Sequence, residues 1–292
     1  MFSIDGYRTS VLKSALSIAV LVVAASVAAG TSGAATHSLT FAANSTVTPQ
    51  VSSNWSGYAI FAADETTPVS FSDVTGTWVQ PKSTCTIGRQ SSSAFWVGLG
   101  GYDESSNALE QLGTGSDCDG NTTKPTYYAW WEIVPAASVQ IPYTVKAGDT
   151  MTSAVVVNGQ KVVLFLKDVT RKWRFSKTVT TTQQLDTTSA EWIAEAPSDC
   201  SSFGRCRVVP LTNFGTVNFT NAAAIGNAHA GTISDPAWTS TPIELIADGG
   251  HAGFFGQNSD AEAGIGAVPG DVSSDGRGFS VSWQQNLTPP TQ

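Results

Sequence analysis

Charge is scarce in this chain. Of its 292 residues 13% are Asp, Glu, Lys or Arg, and the acidic ones prevail to leave a net charge of −8. No block of Lys and Arg is present to neutralise phosphates, which argues against nucleic acid as a partner. Histidine is as sparse: His37, His229 and His251 are scattered, and no H-E-x-x-H occurs. A zinc hydrolase or a histidine-based triad therefore lacks its parts. His37 falls in a linker-like stretch, and the other two sit in Gly/Ala-rich surroundings that read as solvated loop. There is no G-x-S-x-G elbow. Gly98-Leu99-Gly100-Gly101 has neither the spacing nor the following Lys of a phosphate loop, and reads as a strand end and turn. Asp117-Cys118-Asp119-Gly120 reads as an Asx turn rather than a calcium loop. Carboxylates, amides and hydroxyls are what the sequence leaves for catalysis.

Long apolar runs are also missing, except at the start. Arg8 and Lys13 precede an apolar run from Ala15 to Ala29, with Gly33, Ala34 and Ala35 following as small residues at a cleavage site. Residues 1–35 are read as a secretory signal, too short and too Gly/Ser-terminated for a retained span. Its removal leaves a secreted, extracellular protein with no membrane attachment. Residues 36–50 are Ser/Thr-rich and read as a linker or short pro-segment. Four cysteines remain, Cys85, Cys118, Cys200 and Cys206, and export makes disulfides the expectation, with three pairings open. The short spacing of Cys200 and Cys206 suits a local staple, leaving Cys85 with Cys118. A zinc site of four thiolates would be expected to show C-x2-C spacing, which neither pair has.

What is abundant is Ser, Thr, Gly, Val and aromatic residues, 9 of them Trp. Short alternating runs broken by Gly, Pro, Asn and Asp imply strands throughout. Val155-Val156-Val157, Asn158-Gly159 and Lys161 to Leu166 predict a hairpin with Asn-Gly in a type I′ turn. Further strands are expected at Thr75–Val79, Ser93–Leu99, Tyr127–Val134, Trp173–Thr180, Ala190–Glu195, Gly215–Phe219, Ile243–Ile246 and Phe279–Trp283. Helical periodicity is nearly absent, Asn221–Ala230 being the one candidate. The expectation is a single all-β domain over residues 51–285, a sandwich or barrel, with residues 286–292 as a tail.

Within Ser189–Ser198, alternation places Glu191, Ile193 and Glu195 on one strand face. Apolar neighbours oppose the charge on such carboxylates and push their pKa values up. Three further segments join this one: Ser53-Asn54-Trp55-Ser56-Gly57-Tyr58, Phe95-Trp96-Val97-Gly98-Leu99-Gly100 with Leu109-Glu110-Gln111-Leu112-Gly113-Thr114, and Tyr127-Tyr128-Ala129-Trp130-Trp131-Glu132. Taken singly, each is an aromatic strand whose ordinary role is packing.

In this order they resemble the glutamic peptidases of family G1, the eqolisins, through S-N-W-x-G, W-V-G, a Gln-bearing strand, A-W-[WY]-E, A-E-[FW]-I-x-E and Pro210-Leu211 before Asn213-Phe214-Gly215. The resemblance spans about Ser53 to Trp283. It implies an antiparallel two-sheet β-sandwich of the concanavalin A-like type, and an acid endopeptidase acting on polypeptides without metal or cofactor. Gln111 and Glu195 match the family's dyad, glutamate activating water as general base and glutamine stabilising the oxyanion. Cys200–Cys206 matches the disulfide of the family's late loop. A monomer is expected. Glu132 is placed to hold or tune the dyad, Trp55 and Trp130 to wall a substrate cleft, and Glu191 to support it. Glu110 should point to the opposite sheet face.

The pattern departs from better-known members at Gly100 and Gly115, where they carry acidic residues. A competing class is carbohydrate: sandwiches of this type serve as lectins and glycoside hydrolases, with carboxylates about 5–5.5 Å apart in the retaining enzymes. The order and content of the motifs favour the peptidase.

Overall fold

The computed structural model describes residues 49–288, apart from 65, 104, 201–205, 248–257 and 260–263. The segment expected to be a secretory signal, nearly all of the expected linker, His37, His251 and the last four residues lie outside the described residues.

Among the described residues every regular element is a strand. The first are β1 (Gln50–Ser52), β2 (Trp55–Phe61), β3 (Phe71–Val79), β4 (Gln90–Leu99), β5 (Leu109–Asp119), β6 (Thr126–Val134) and β7 (Val139–Ile141). Then come β8 (Thr150–Asn158), β9 (Lys161–Asp168), β10 (Trp173–Thr180), β11 (Ser189–Glu195), β12 (Ser198–Cys200) and β13 (Cys206–Val208). The last are β14 (Thr216–Gly226), β15 (His229–Gly231), β16 (Thr239–Ile246), β17 (Asn258–Ser259), β18 (Gly266–Pro269) and β19 (Phe279–Gln284). Each strand expected from alternation is present, most of them longer than expected.

A single 16-stranded sheet carries most of them, in the order β10-β9-β8-β3-β14-β19-β18-β16-β2-β11-β4-β5-β6-β7, with β1 on β16 and β15 on β14. Its two halves face each other as the layers of a sandwich, β3, β8, β9 and β14 lying against β4, β5 and β11. Between them lies a core that includes Trp78, Phe95, Val97, Leu112, Leu164, Trp192 and Phe219. Two buried indoles tie the layers: Trp192 Nε1 donates to the Thr75 carbonyl at 2.7 Å, and Trp78 Nε1 to Thr114 Oγ1 at 2.9 Å. Burying an N–H without an acceptor is costly, so these contacts favour one alignment of the layers.

Cys85 and Cys118 are bonded, their Cα atoms 5.4 Å apart. The main chain pairs Cys200 opposite Cys206 where β12 meets β13. Their side chains lie outside the described residues.

Two expectations are corrected. Asn221–Ala230 is not a helix: it lies in β14, a tight turn and β15. Beyond a bulge at Asn221, Ala222 and Ala224 are buried, a period of two that seats one face on the core. Asn227 and Ala228 turn the chain with φ of 49° and 63°. The β8–β9 turn falls on Gly159–Gln160, one residue later than Asn-Gly, because Asn158 pairs with Lys161. Gly159 takes φ of 58° at the first turn position, as in a Gly-first hairpin turn.

Candidate active site

The half-sheet β2-β11-β4-β5-β6 has two faces. One belongs to the sandwich core. The other carries a second apolar cluster that includes Trp55, Trp96, Leu109, Trp130 and Ile193. Register dictates what shares that second face, since directly opposed residues project to the same side. One row reads Glu191, Gly98, Gln111, Glu132; the next Ile193, Trp96, Gly113, Trp130; the third Trp55, Glu195, Ala94, Gly115, Tyr128. Residues as distant in sequence as Trp55 and Glu195 are thereby brought to neighbouring sites.

A cleft of about 600 Å³ opens over these rows, lined by Gln111, Glu132, Glu195, Trp55, Trp130, Asn54 and others. Five of the residues expected at the site therefore share one cavity. Glu191 does not line it: it is on the same face as Glu195 but fully buried. Glu110 projects to the opposite side, as alternation requires, and is also fully buried.

Glu195 is held by donors. Trp96 Nε1 donates to Oε2 at 2.7 Å and Asn54 Nδ2 to Oε1 at 3.3 Å. Asn54 is oriented in turn by Ser52, whose hydroxyl donates to Asn54 Oδ1 at 3.2 Å. Burial nevertheless dominates, and with the nearby Glu132 charge it pushes Glu195 up to about 8, against the pull of these hydrogen bonds. Gln111 Nε2 donates to Glu132 Oε2 at 2.7 Å, while Gln111 Oε1 has no hydrogen-bond partner among the described residues. Burial pushes Glu132 up to about 7, opposed by the bond from Gln111. Glu191, enclosed completely, is raised well above the ordinary carboxyl range. The described residues that line the cleft include no basic side chain.

The two glycine departures have structural explanations. Gly100 takes φ of 82°, and a Cβ there would lie 2.5 Å from the Asp186 Cβ and carbonyl oxygen. The carboxyl at this corner comes from Asp186, which accepts from the Gly101 N–H at 3.0 Å and the Ser106 hydroxyl at 2.6 Å. A Cβ on Gly115 would lie 2.5 Å from Tyr128 Cζ. Tyr128 lies across that glycine and donates its hydroxyl to Asp117 Oδ1 at 3.2 Å. A carboxyl from another position thus stands near each glycine, and beside Gly115 the Tyr128 ring occupies the space.

Sequence reading passed over the roles of Asn54, Trp96, Tyr128 and Asp186. The first three stand inside the quoted motifs, so their presence was legible and their task was not. Asp186 lies in a Gln/Thr-rich connection that carries no signal.

An antiparallel sandwich with an aromatic cleft holding a glutamine amide and two partly covered carboxyls is the framework of a glutamic-type endopeptidase. The sequence model of the Peptidase A4 family matches residues 53–250, and the chain belongs to this family of G1 glutamic peptidases. Among solved structures it resembles scytalido-glutamic peptidase with a transition-state analog inhibitor, at 25% identity and a TM-score of 0.61 over 79% of this chain and 98% of that one. A second structure of that peptidase, with a peptide-based transition-state analog, gives 24% and 0.60 with the same coverage. SCP-B, an eqolisin in complex with the tripeptide Ala-Ile-His, gives 24% and 0.57, again over 79% and 98%. No curated protein matches the chain.

Proposed function

We propose that the chain is an exported endopeptidase that cleaves polypeptides in acid, with Gln111 and Glu195 as its reacting pair. The observation that carries this reading is the convergence of Gln111, from β5, and Glu195, from β11, on one cleft, the carboxyl gripped by Trp96 and Asn54. The similar peptidases hold peptide-like inhibitors and a tripeptide, which supports an extended peptide as the substrate here.

The raised pKa sets the order of proton transfers. A carboxyl titrating near 8 carries its proton throughout the acid range, so Glu195 begins as a donor. It protonates the scissile carbonyl oxygen as water attacks the carbon. Its carboxylate then accepts the proton that the attached water sheds, so it acts as base after the attack rather than, as the sequence reading expects, by activating the water beforehand. Restored, Glu195 protonates the amide nitrogen as the C–N bond breaks, and recovers its proton from the released acid. The Gln111 amide donates to the scissile carbonyl oxygen as the proton arrives, drawing electron density from the carbon under attack, a contact typically worth about 3 kcal/mol. No covalent acyl-enzyme forms.

The test is cleavage of an unfolded protein substrate from about pH 2 to 7 by the mature protein beside folded Gln111→Ala and Glu195→Ala variants. Each variant should lose on the order of 100-fold or more in rate. Full cleavage by either sinks the dyad, and sugar release without proteolysis would move the chain to the carbohydrate class.

A further inference from the structure

We propose that Ser52, on the first strand β1, is a positioning residue for the reaction: its hydroxyl fixes which end of the Asn54 amide meets Glu195. This rests on the reading of Glu195 as the reacting acid and adds what keeps that acid's proton available to the substrate. Ser52 is buried, and its Oγ accepts the Asn54 and Trp55 backbone N–H groups at 3.3 and 3.0 Å. The hydroxyl hydrogen is donated to Asn54 Oδ1 at 3.2 Å. With Oδ1 engaged there, the amide offers Nδ2 to Glu195 Oε1, at 3.3 Å. The Asn54 main chain is held separately: its carbonyl accepts from the Ala196 N–H at 2.8 Å, just past Glu195. What is left to settle at residue 54 is the sense of its amide, and Ser52 settles it.

The sense matters because the two ends of an amide favour opposite states of a carboxyl. Nδ2 toward Glu195 favours the carboxylate and leaves the acid's proton for the substrate. Oδ1 in its place would accept that proton, hold it on the cleft wall and favour the protonated acid. The other groups that face Glu195 have no such choice. Trp96 and Trp55 can only donate, the Glu132 carboxyl on β6 raises Glu195, and Tyr128 on β6 gives its hydroxyl to Asp117. No cation lines the cleft among the described residues. β1 itself is seated by parallel pairing with β16, Ser52 opposite Leu245, and by the Tyr102 hydroxyl donated to Gln50 Oε1. Docking of the first strand therefore completes the grip on Glu195. Ser52 touches no reacting atom and acts through Asn54.

Ser52→Ala, Asn54→Ala and the double variant, each shown folded by thermal melting, test this beside the native protein. Ser52→Ala should lose about tenfold in kcat with KM little changed. The upper limb of its kcat profile should move up by about one pH unit, as the turned amide favours the protonated acid. Asn54→Ala removes the donor without offering an acceptor, so its limb should move less. On that background Ser52→Ala should move the limb no further. A limb unmoved in Ser52→Ala, or moved equally on both backgrounds, overturns the inference. Carbon-13 NMR of the Glu195 carboxyl reads the same order of midpoints without turnover. In the native protein the Asn54 side-chain amide should give one set of signals that shifts as Glu195 titrates. Signals that ignore that titration overturn the inference without any variant. If Glu195→Ala is inactive while Glu195 titrates alike in the native and Ser52→Ala proteins, only the role of Ser52 falls. If Glu195→Ala is fully active, the dyad falls with it.

Discussion

Trp96 Nε1 lies 2.7 Å from Glu195 Oε2, and the same indole meets Trp55 edge-on with ring centroids 5.0 Å apart. One ring thus packs the cleft wall and feeds a hydrogen bond to the carboxyl that the proposed mechanism depends on. Trp96→Phe preserves most of the packing and deletes the donor. The bond favours the ionised form, so its loss raises Glu195 further. The upper limb of the kcat/KM profile should move to higher pH by about one unit. A limb that stays in place would show that Trp96 only packs.

Four buried carboxyls make stability depend on pH. Glu110 and Glu195 are pushed up to about 8, Glu132 to about 7, and Glu191 well above its ordinary value, in each case chiefly by burial. In the unfolded chain they ionise near their ordinary value of about 4.3. Below that they are protonated in both states and cost nothing. Between about 4.3 and 8 the native state binds more protons than the unfolded chain, so stability falls as pH rises. Thermal midpoints should decline steadily from pH 4 to 8. Glu191→Gln, neutral at every pH, should flatten that slope, and an unchanged slope would acquit Glu191.

Gly100→Ala places a methyl group against Asp186 at a backbone conformation that side chains rarely adopt. The fold should lose about 1–3 kcal/mol in chemical denaturation. Because Asp186 also accepts from Gly101 and Ser106, the corner beside the cleft should loosen with it. Faster amide hydrogen exchange at Gly101 would report that; unchanged exchange would confine the damage to the backbone strain.

Cys85 and Cys118 close a loop with a sequence separation of 33. Replacing both with Ser should cost about 2–4 kcal/mol, through the freedom returned to the unfolded chain. A melting temperature unchanged in the double variant would contradict this.

Strands were legible because alternation is a local property, and the cleft was legible because its motifs combine rare residues in a fixed order. That Glu195 and Gln111 share the cleft could be anticipated in this way, and that Glu110 faces the other side of β5 follows from parity alone. Three things were not legible. The alanines of β14 satisfy a helix as readily as a strand, and only the core beneath Ala222 and Ala224 decides between them. The hairpin turn is fixed by which residues of β8 and β9 pair, a non-local fact that moved it from Asn158-Gly159 to Gly159–Gln160. The depth of Glu191 was hidden as well, since parity gives a face and not the cover above it.

Glu110 and Gln111 stand one pleat apart, the first sealed on one side of β5 and the second in the cleft on the other. A slip of a single residue between β5 and its neighbours would exchange them, delivering a third acid to the cleft and hiding the amide. The sequence places a wrong answer immediately beside the right one, so faithful strand pairing during folding is a precondition of catalysis. Chains that paired one step out could be compact, all-β and inert.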